Sequence, residues 1–298
     1  MFGDLPLTDI WLPAAMLAVA VAVAVPGLLS VWRNAKAKEE VERRLERRGT
    51  QFMEPHKHVS PVDNLVLQVS SNVGMVRAMG RMKTDVYWDW MNRLEIDQRP
   101  DTDLPGAVAG QLKSKEQFIT HPIEPATTAF GQGFALTPLK LVQLHAVLAN
   151  GGRMVSPHIT RGFRSGGALA PPASPSGRKL LSPEVAATVL SWMESVVEQG
   201  SGVGVKTPGY RIGGKTGTAQ KALNGIYLPG AKICSFVATL PIEAPRYVVF
   251  VAVDEPQGAH AYGSTVAVPV AKQIIDGLLV IEKISPSKPA ELNKTLMS

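Results

Sequence analysis

The feature that most constrains this chain is an uncharged, apolar run of 23 residues from Ile10 to Trp32. As a helix rising about 1.5 Å per residue, it is long enough to cross a hydrocarbon core about 30 Å thick. Trp11 and Trp32 stand at its two ends, where membrane spans favour aromatic anchors. A signal peptide and a buried core helix are the alternatives, but no basic segment precedes the run. We therefore predict a membrane span at residues 10–32.

The charges that flank this run predict its orientation. Asp4 and Asp9 precede it, whereas residues 33–48 carry seven Lys or Arg and four Glu, which is +3 of the net charge of +6. The positive-inside rule places the basic side in the cytoplasm. The mixed signs favour a solvated helix, and because no DNA-reading motif surrounds it we predict no nucleic-acid partner. Residues 1–48 thus form a span and a charged stalk.

The rest of the chain has the composition of a folded domain. Apolar residues make up 45% and charged residues 19%, which excludes wholesale disorder. A single cysteine, Cys234, excludes a disulfide framework and a cysteine-rich metal site. We predict no metal and no cofactor. The domain is placed at residues 49–283, and residues 284–298, with two prolines, are predicted to be a flexible tail.

Local patterns predict a mixture of helices and short strands. Ser-Pro or Thr-Pro pairs supply an N-cap and a first helical residue, and glycines mark helix ends. β-Branched and aromatic runs favour strands. Helices are predicted at 61–82, 138–150, 183–199 and 265–280, strands at 211–222, 232–240 and 246–253, and irregular chain at 99–125 and 165–177. Helices followed by short antiparallel strands and a last helix indicate an α+β fold.

Two short motifs suggest chemistry. Ser70-Ser71-Asn72 lies in a helical region, and Lys215-Thr216-Gly217 lies on a predicted strand. Each triplet alone is weak, but their order and their elements match the arrangement of serine acyl-transfer enzymes that act on β-lactams and related peptides. Without further support, a helix serine, a cap-like asparagine and an exposed strand lysine would be the simpler interpretation.

The sequence around these motifs resembles the transpeptidase domain of class B penicillin-binding proteins, of the septal, cell-division type. The similar stretches are residues 70–82, 127–159, 209–221 and 254–275, and the resemblance covers about residues 56–283. It implies the fold shared by penicillin-binding proteins and serine β-lactamases, an antiparallel sheet with helices. It also implies attachment to the inner or plasma membrane, with the domain facing the cell wall. The basic flank of the predicted span argues against that orientation.

The resemblance implies a reaction and its catalytic residues. In the family, a serine attacks the D-alanyl-D-alanine bond of a peptidoglycan stem peptide, and an amine from a neighbouring stem completes the crosslink. β-Lactams acylate the same serine. By motif, Ser70 would take part in proton transfer and Asn72 would hydrogen-bond the substrate amide or nearby catalytic groups. Lys215 would supply positive charge.

Three further residues are implied to bind substrate. Thr216 would hold the terminal carboxylate of the donor peptide, because charge-assisted hydrogen bonds are strong. Gly217 would let the substrate backbone approach the strand closely. The backbone N–H of Thr218 would be one oxyanion-hole donor. Stem peptides ending in D-Ala-D-Ala, β-lactams and division-complex proteins are the implied partners.

The family's Ser-x-x-Lys nucleophile motif does not occur upstream of Ser70. The serines there, Ser30 and Ser60, have Arg and Asp three residues later. Matches at 176–179 and 285–288 lie downstream in Pro-, Gly- and Ser-rich segments, where no helical turn holds the lysine beside the serine. Neither match is predicted to be catalytic.

The sequence therefore predicts an incomplete transpeptidase domain behind a truncated or altered N-terminus. We expect a bare sheet edge or face where the family's early strands and nucleophile helix belong. Three hypotheses follow: an active transpeptidase, a catalytically inactive fragment, and a membrane-anchored module that binds division proteins. Covalent labelling by a fluorescent penicillin distinguishes the first from the second.

Overall fold

The structure is a computed structural model that describes residues 61–160, 163–165, 168–170, 177–223, 226–258 and 260–288. The predicted membrane span and charged stalk, residues 1–48, lie outside the described residues. The described part combines helices with an antiparallel sheet, which confirms the α+β class predicted from the sequence.

Eight α-helices are described in this part of the chain: α1 Pro61–Gln68, α2 Asn72–Met79, α3 Thr84–Arg93, α4 Lys115–Thr120, α5 Ile123–Thr128, α6 Pro138–Ala149, α7 Pro183–Gln199 and α8 Val268–Ile281. The predicted starts of α6 and α7 are confirmed. Thr137 and Ser182 are N-caps whose hydroxyls accept backbone N–H groups three residues later, and a proline follows each.

The strands are β1 Arg153–Met154, β2 Phe163–Ser165, β3 Ala168–Ala170, β4 Arg178–Lys179, β5 Gly213–Leu223, β6 Ile226–Leu240 and β7 Tyr247–Asp254. The last three form an antiparallel sheet in the order β5-β6-β7. Lys215 pairs with Val237 across β5 and β6. Two small hairpin-like pairs, β1 with β4 and β2 with β3, stand apart from this sheet.

Two hydrophobic clusters hold these elements together. One lies among the helices and centres on α6 and α7, with Leu144, Val189 and Phe118 wholly buried. The other lies between the sheet and α8, where Phe236 faces Ala271 and Ile275. Helix α7 borders both clusters, since its Val196 belongs to the first and its Val197 to the second. It therefore joins the helical part of the fold to strand β5.

The single helix predicted at 61–82 is wrong, because the chain breaks between α1 and α2. Ser70 has a φ of 56°, and the N–H groups of Ser70 and Ser71 donate to the carbonyls of Leu67 and Val66. This is the left-handed Schellman ending of a helix, with serine where glycine is usual. Ser71 then caps α2 by accepting the N–H of Gly74. Apolar spacing continues across the break, so periodicity alone did not reveal it.

Other predicted boundaries also need correction. The segment 99–125 is not wholly irregular, because it contains α4 and the start of α5. The segment 165–177 includes β3, which pairs with β2. Strand β6 begins at Ile226 rather than residue 232, and α8 begins at Val268 after a π-helical turn at Gly263–Ala267. Hairpin pairing and tertiary packing extend these elements beyond the local signals that the sequence offers.

Within the described part of the chain, β7 pairs only with β6, so its other side is an edge of the sheet. Every open sheet has such edges, and residues 1–60 lie outside the described part, so the bare edge expected from the sequence stays a prediction. Residues 284–288, predicted as part of a flexible tail, pack onto the fold: Ile284 is buried, and Ser287 accepts the N–H of Arg211. The prediction of a flexible tail is thus not met for these five residues. The domain division itself stays a prediction.

The segment Gly263–Ile281 is long and apolar enough to cross a membrane by length and composition. Its Val268, Ala271, Ile275 and Leu279 are buried against the sheet, at the spacing of one helix face. Packing in the core accounts for this one face of α8, whereas the apolar Val270, Ile274, Val280 and Ile281 of the same helix are exposed.

Candidate active site

Ser70 is positioned by the packing of α1 on α7. The hydroxyl of Ser195, on α7, donates to Asn64 Oδ1 on α1 at 2.6 Å. Gly74 lets α1 and α2 approach closely, because a Cβ at this position would lie 2.6 Å from a methyl carbon of Val66. The Schellman ending then leaves Ser70 at the turn between the two helices, half-buried. The first motif thus lies on a tight turn rather than within a helix.

Lys215 reaches this turn from strand β5. Its Nζ donates to Ser70 Oγ at 2.8 Å and to the carbonyl oxygen of Thr216 at 2.9 Å. The two motifs, 145 residues apart in the chain, are therefore in direct contact. Lys215 is only 4% exposed, and burial lowers the pKa of its amine to about 7.

The two threonines of strand β5 contact other parts of the fold. Thr216 Oγ1 lies 2.6 Å from Ser201 Oγ, just after α7, and Thr218 Oγ1 accepts the N–H of Gly263 at 3.0 Å. Side chains alternate across a strand, so these two threonines lie on the face opposite Lys215. Thr216 is 8% exposed and Thr218 is 7% exposed. Each hydroxyl lies within hydrogen-bond distance of one of the partners just named.

The remaining predicted site residues lie nearby. Asn72 is the first residue of α2 and is partly exposed. Among the described residues, no hydrogen bond joins its side chain to Lys215 or Thr216. Gly217 is buried and pairs with Ser235 across the sheet. The structure thus brings Ser70 and Lys215 into contact, with the backbone carbonyl of Thr216 on the same amine and Asn72 at the start of the helix that follows Ser70.

Two residues of this region were not predicted from the sequence. Ser201 pairs with Thr216, and Gly263 leaves room for the strands, because a Cβ there would lie 2.5 Å from the carbonyl oxygens of both Gly217 and Ser235. Ser201 stands between two glycines after a long helix, which marks a turn but not its partner. Gly263 lies in one of the stretches that resemble the family, and this resemblance was the only sequence signal that could have marked it as part of the site.

The downstream Ser-x-x-Lys matches do not form a helical turn. Lys179 lies in β4, and Ser176 lies outside the described residues. Ser285 and Lys288 lie in extended chain after α8, where the N–H of Lys288 donates to the carbonyl of Gly209. A non-helical segment does not place the lysine amine beside the serine hydroxyl.

The arrangement of Ser70 and Lys215 suits acyl-transfer chemistry. A lysine amine that is partly neutral near pH 7 can take a proton from a hydroxyl or return it. As an ammonium it can attract a carboxylate.

The chain belongs to the penicillin-binding protein transpeptidase family. The family model described as "Penicillin binding protein transpeptidase domain" matches residues 42–276. This confirms the class that the motifs, their contact and the α+β fold indicate, and it confirms the resemblance to class B penicillin-binding proteins.

Curated relatives of the chain include named peptidoglycan transpeptidases. A peptidoglycan D,D-transpeptidase FtsI homolog of Mesostigma viride is 39% identical over 251 residues, which cover 78% of this chain and 42% of that protein. Stage V sporulation protein D of Bacillus subtilis is 35% identical over 226 residues, covering 75% and 35%. The chain thus spans less than half the length of these relatives.

Solved structures of the same family have the same fold. The transpeptidase domain of Burkholderia pseudomallei penicillin-binding protein 3 matches with a TM-score of 0.68 at 26% identity, covering 94% of this chain and 81% of that one. Penicillin-binding protein 3 of Mycobacterium tuberculosis, complexed with ampicillin, matches with a TM-score of 0.67 at 27% identity, covering 74% and 51%. The fold class predicted from the sequence is confirmed.

Proposed function

We propose that this chain carries the carboxylate-binding half of a peptidoglycan D,D-transpeptidase site, which recognises stem peptides ending in D-Ala-D-Ala and β-lactams that mimic them. The observation that carries the proposal is the 2.8 Å contact between Lys215 Nζ and Ser70 Oγ. It joins the two motifs of the family at one place, and relatives named as peptidoglycan D,D-transpeptidases support peptidoglycan crosslinking as the reaction.

Each site residue takes a role under this proposal. Lys215, as an ammonium, attracts the terminal carboxylate, and the hydroxyl of Thr216 turns from Ser201 to donate to it. Ser70 and Asn72 contact the reacting end of the donor. Gly217 and Thr218 present the strand backbone, with the Thr218 N–H directed at the developing oxyanion.

Covalent crosslinking needs a nucleophile at the scissile carbonyl. The sequence has no Ser-x-x-Lys upstream of Ser70, so we propose that this chain by itself binds β-lactams without being acylated by them. A penicillin carboxylate beside Lys215 raises the pKa of its amine and keeps it protonated. The amine is then no base for Ser70 while the drug is bound.

Binding of a fluorescent penicillin, followed by fluorescence anisotropy, tests this function. We expect saturable binding that disappears on denaturation in detergent and leaves no labelled band on a gel. Thr216→Val should weaken binding about tenfold or more, because a hydrogen bond to a charged group contributes about 1.5–3 kcal/mol.

The matched control is Thr239→Val, the same substitution on β6. Thr239 is wholly buried, and its hydroxyl has no hydrogen-bond partner among the described residues. Its replacement should leave binding unchanged. Equal affinity of the wild type and Thr216→Val, or a detergent-resistant label, would contradict the proposal.

We further propose that the chain is attached to the membrane through residues 10–32 and works with division-complex proteins. The support is the uncharged run with its terminal tryptophans, together with the FtsI names of relatives. Extraction of the full chain from membranes at alkaline pH tests the attachment. Release into the soluble fraction would exclude a spanning segment.

A further inference from the structure

The hydroxyl of Ser70 has the surroundings of a nucleophile. Its Oγ lies 2.8 Å from Lys215 Nζ, within the range expected of a nucleophile and its base. Ser70 is half-buried, whereas Lys215 is 4% exposed. Ser70 is therefore partly open to solvent, while the amine that would take its proton is shielded from water.

The backbone of Ser70 stores strain that glycine would avoid. The left-handed region is disfavoured for a residue with a side chain, and Ser70 has a φ of 56° there. Two hydrogen bonds, from the N–H groups of Ser70 and Ser71, fix this turn. Serine is therefore present where glycine would fit the backbone better, and its hydroxyl contacts a buried amine. This combination indicates a functional role for the hydroxyl.

The amine of Lys215 is oriented for the same purpose. It donates one N–H to the carbonyl oxygen of Thr216 at 2.9 Å, which fixes its position. In the neutral form, its lone pair can accept the Ser70 proton. Burial lowers the pKa of Lys215 to about 7, so the neutral form is well populated near neutral pH.

We propose that Ser70 is itself an acyl acceptor, with Lys215 as its general base, toward small activated esters that carry no carboxylate. Ser70 Oγ forms a bond to the ester carbonyl carbon as its proton passes to Lys215 Nζ. The bond from that carbon to the aryl oxygen breaks, and the phenolate leaves. Lys215 then releases its proton to solvent.

Water completes the cycle. Lys215 takes a proton from a water molecule whose oxygen bonds to the acyl carbon, and the bond from that carbon to Ser70 Oγ breaks. The proton passes from Lys215 back to Oγ, and a carboxylic acid departs. The sum is ester plus water to acid plus phenol, with no other reactant.

The experiment incubates the full chain with p-nitrophenyl acetate and follows phenolate release, intact mass and the position of the acetyl group by peptide mapping. We expect one acetyl group on Ser70. Ser70→Gly should lower the acetylation rate at least 100-fold, as expected for a base-assisted nucleophile. Glycine readily adopts the φ of this position, so the variant should stay folded. A thermal unfolding curve of the variant checks this. Ser191→Ala, at an exposed serine of α7, is the matched control and should react like the wild type.

Equal acetylation of Ser70→Gly and the wild type would overturn the proposal, as would an acetyl group mapped to Ser201 or to a lysine. Benzylpenicillin should slow acetylation, since its carboxylate raises the pKa of Lys215 and keeps the amine protonated by solvent. Acylation of Ser70 depends on the Ser70–Lys215 pair and does not depend on carboxylate binding by Thr216. Acetylation of Ser70 without penicillin binding would therefore contradict only the proposed function, and penicillin binding without acetylation only this inference.

Discussion

Gly263→Ala is expected to lower the free energy of unfolding by about 3 kcal/mol, at the upper end of overpacking substitutions. A Cβ at this position would lie 2.5 Å from the carbonyl oxygens of Gly217 and Ser235. Both oxygens belong to paired strands of one sheet, so neither can move without disturbing the hydrogen bonds of β5 and β6. Urea unfolding measures the change.

The same substitution should also abolish penicillin binding. The N–H of Gly263 donates to Thr218 Oγ1 at 3.0 Å, so a displaced residue 263 pulls on the strand that carries Thr216. Anisotropy measured well below the unfolding midpoint separates this effect from loss of folded protein.

Gly277→Ala is the matched control for both measurements. Gly277 lies within α8, and a Cβ there meets no atom within 4 Å outside the helix itself. Alanine should raise stability by up to about 1 kcal/mol through its helix propensity. If Gly263→Ala is as stable as this control, the backbone at residue 263 can move away from the strands at little cost in free energy, and the prediction is wrong.

The parts of this fold that the sequence predicted are those in which local chemistry decides the backbone. The caps at Thr137 and Ser182 were readable because a hydroxyl followed by proline has few alternatives to a helix start. Strand β7 was predictable from its β-branched and aromatic residues. Strand β5, which carries the Lys215 motif, combines glycines that disfavour a strand with the β-branched Thr216 and Thr218, which favour one.

The turn at Ser70 could not be predicted, because it depends on tertiary contacts. Serine rarely adopts a left-handed φ, and the apolar spacing runs on through Val69 and Val73. What stabilises the break is the packing of Val66 on Gly74 and the hydrogen bond between Asn64 and Ser195. The Thr216–Ser201 pair likewise depends on where α7 ends relative to β5. The motifs singled out Ser70 and Lys215, which the structure brings into contact, but they did not predict the contacts that hold the two residues in place.

Lys215→Met is expected to change how stability depends on pH. The pKa of Lys215 is 10.5 in an ordinary setting and about 7 when folded. Between these values the unfolded chain binds a proton that the folded chain does not, so this group makes stability rise with pH. Below about pH 7 both states are protonated, and the full cost of burying the ammonium is present. The stability of the wild type minus that of Lys215→Met should thus be flat below pH 7. It should then rise toward pH 10.5 by on the order of 5 kcal/mol.

Lys221→Met supplies a control of opposite sign on the same strand. Hydrogen bonds to Glu255 and Asp254 raise the pKa of the exposed Lys221 amine. Its contribution is fully present below the unfolded pKa and is lost as pH rises through the folded pKa. Urea unfolding of the three proteins from pH 6 to pH 10 measures the rise caused by Lys215, whereas the difference between the wild type and Lys221→Met should stay constant over this range. A difference between the wild type and Lys215→Met that stays constant across this range would show that the amine is hydrated and charged. Because the neutral amine is what lets Lys215 act as a base for Ser70, that result would also remove the physical basis for acylation at Ser70.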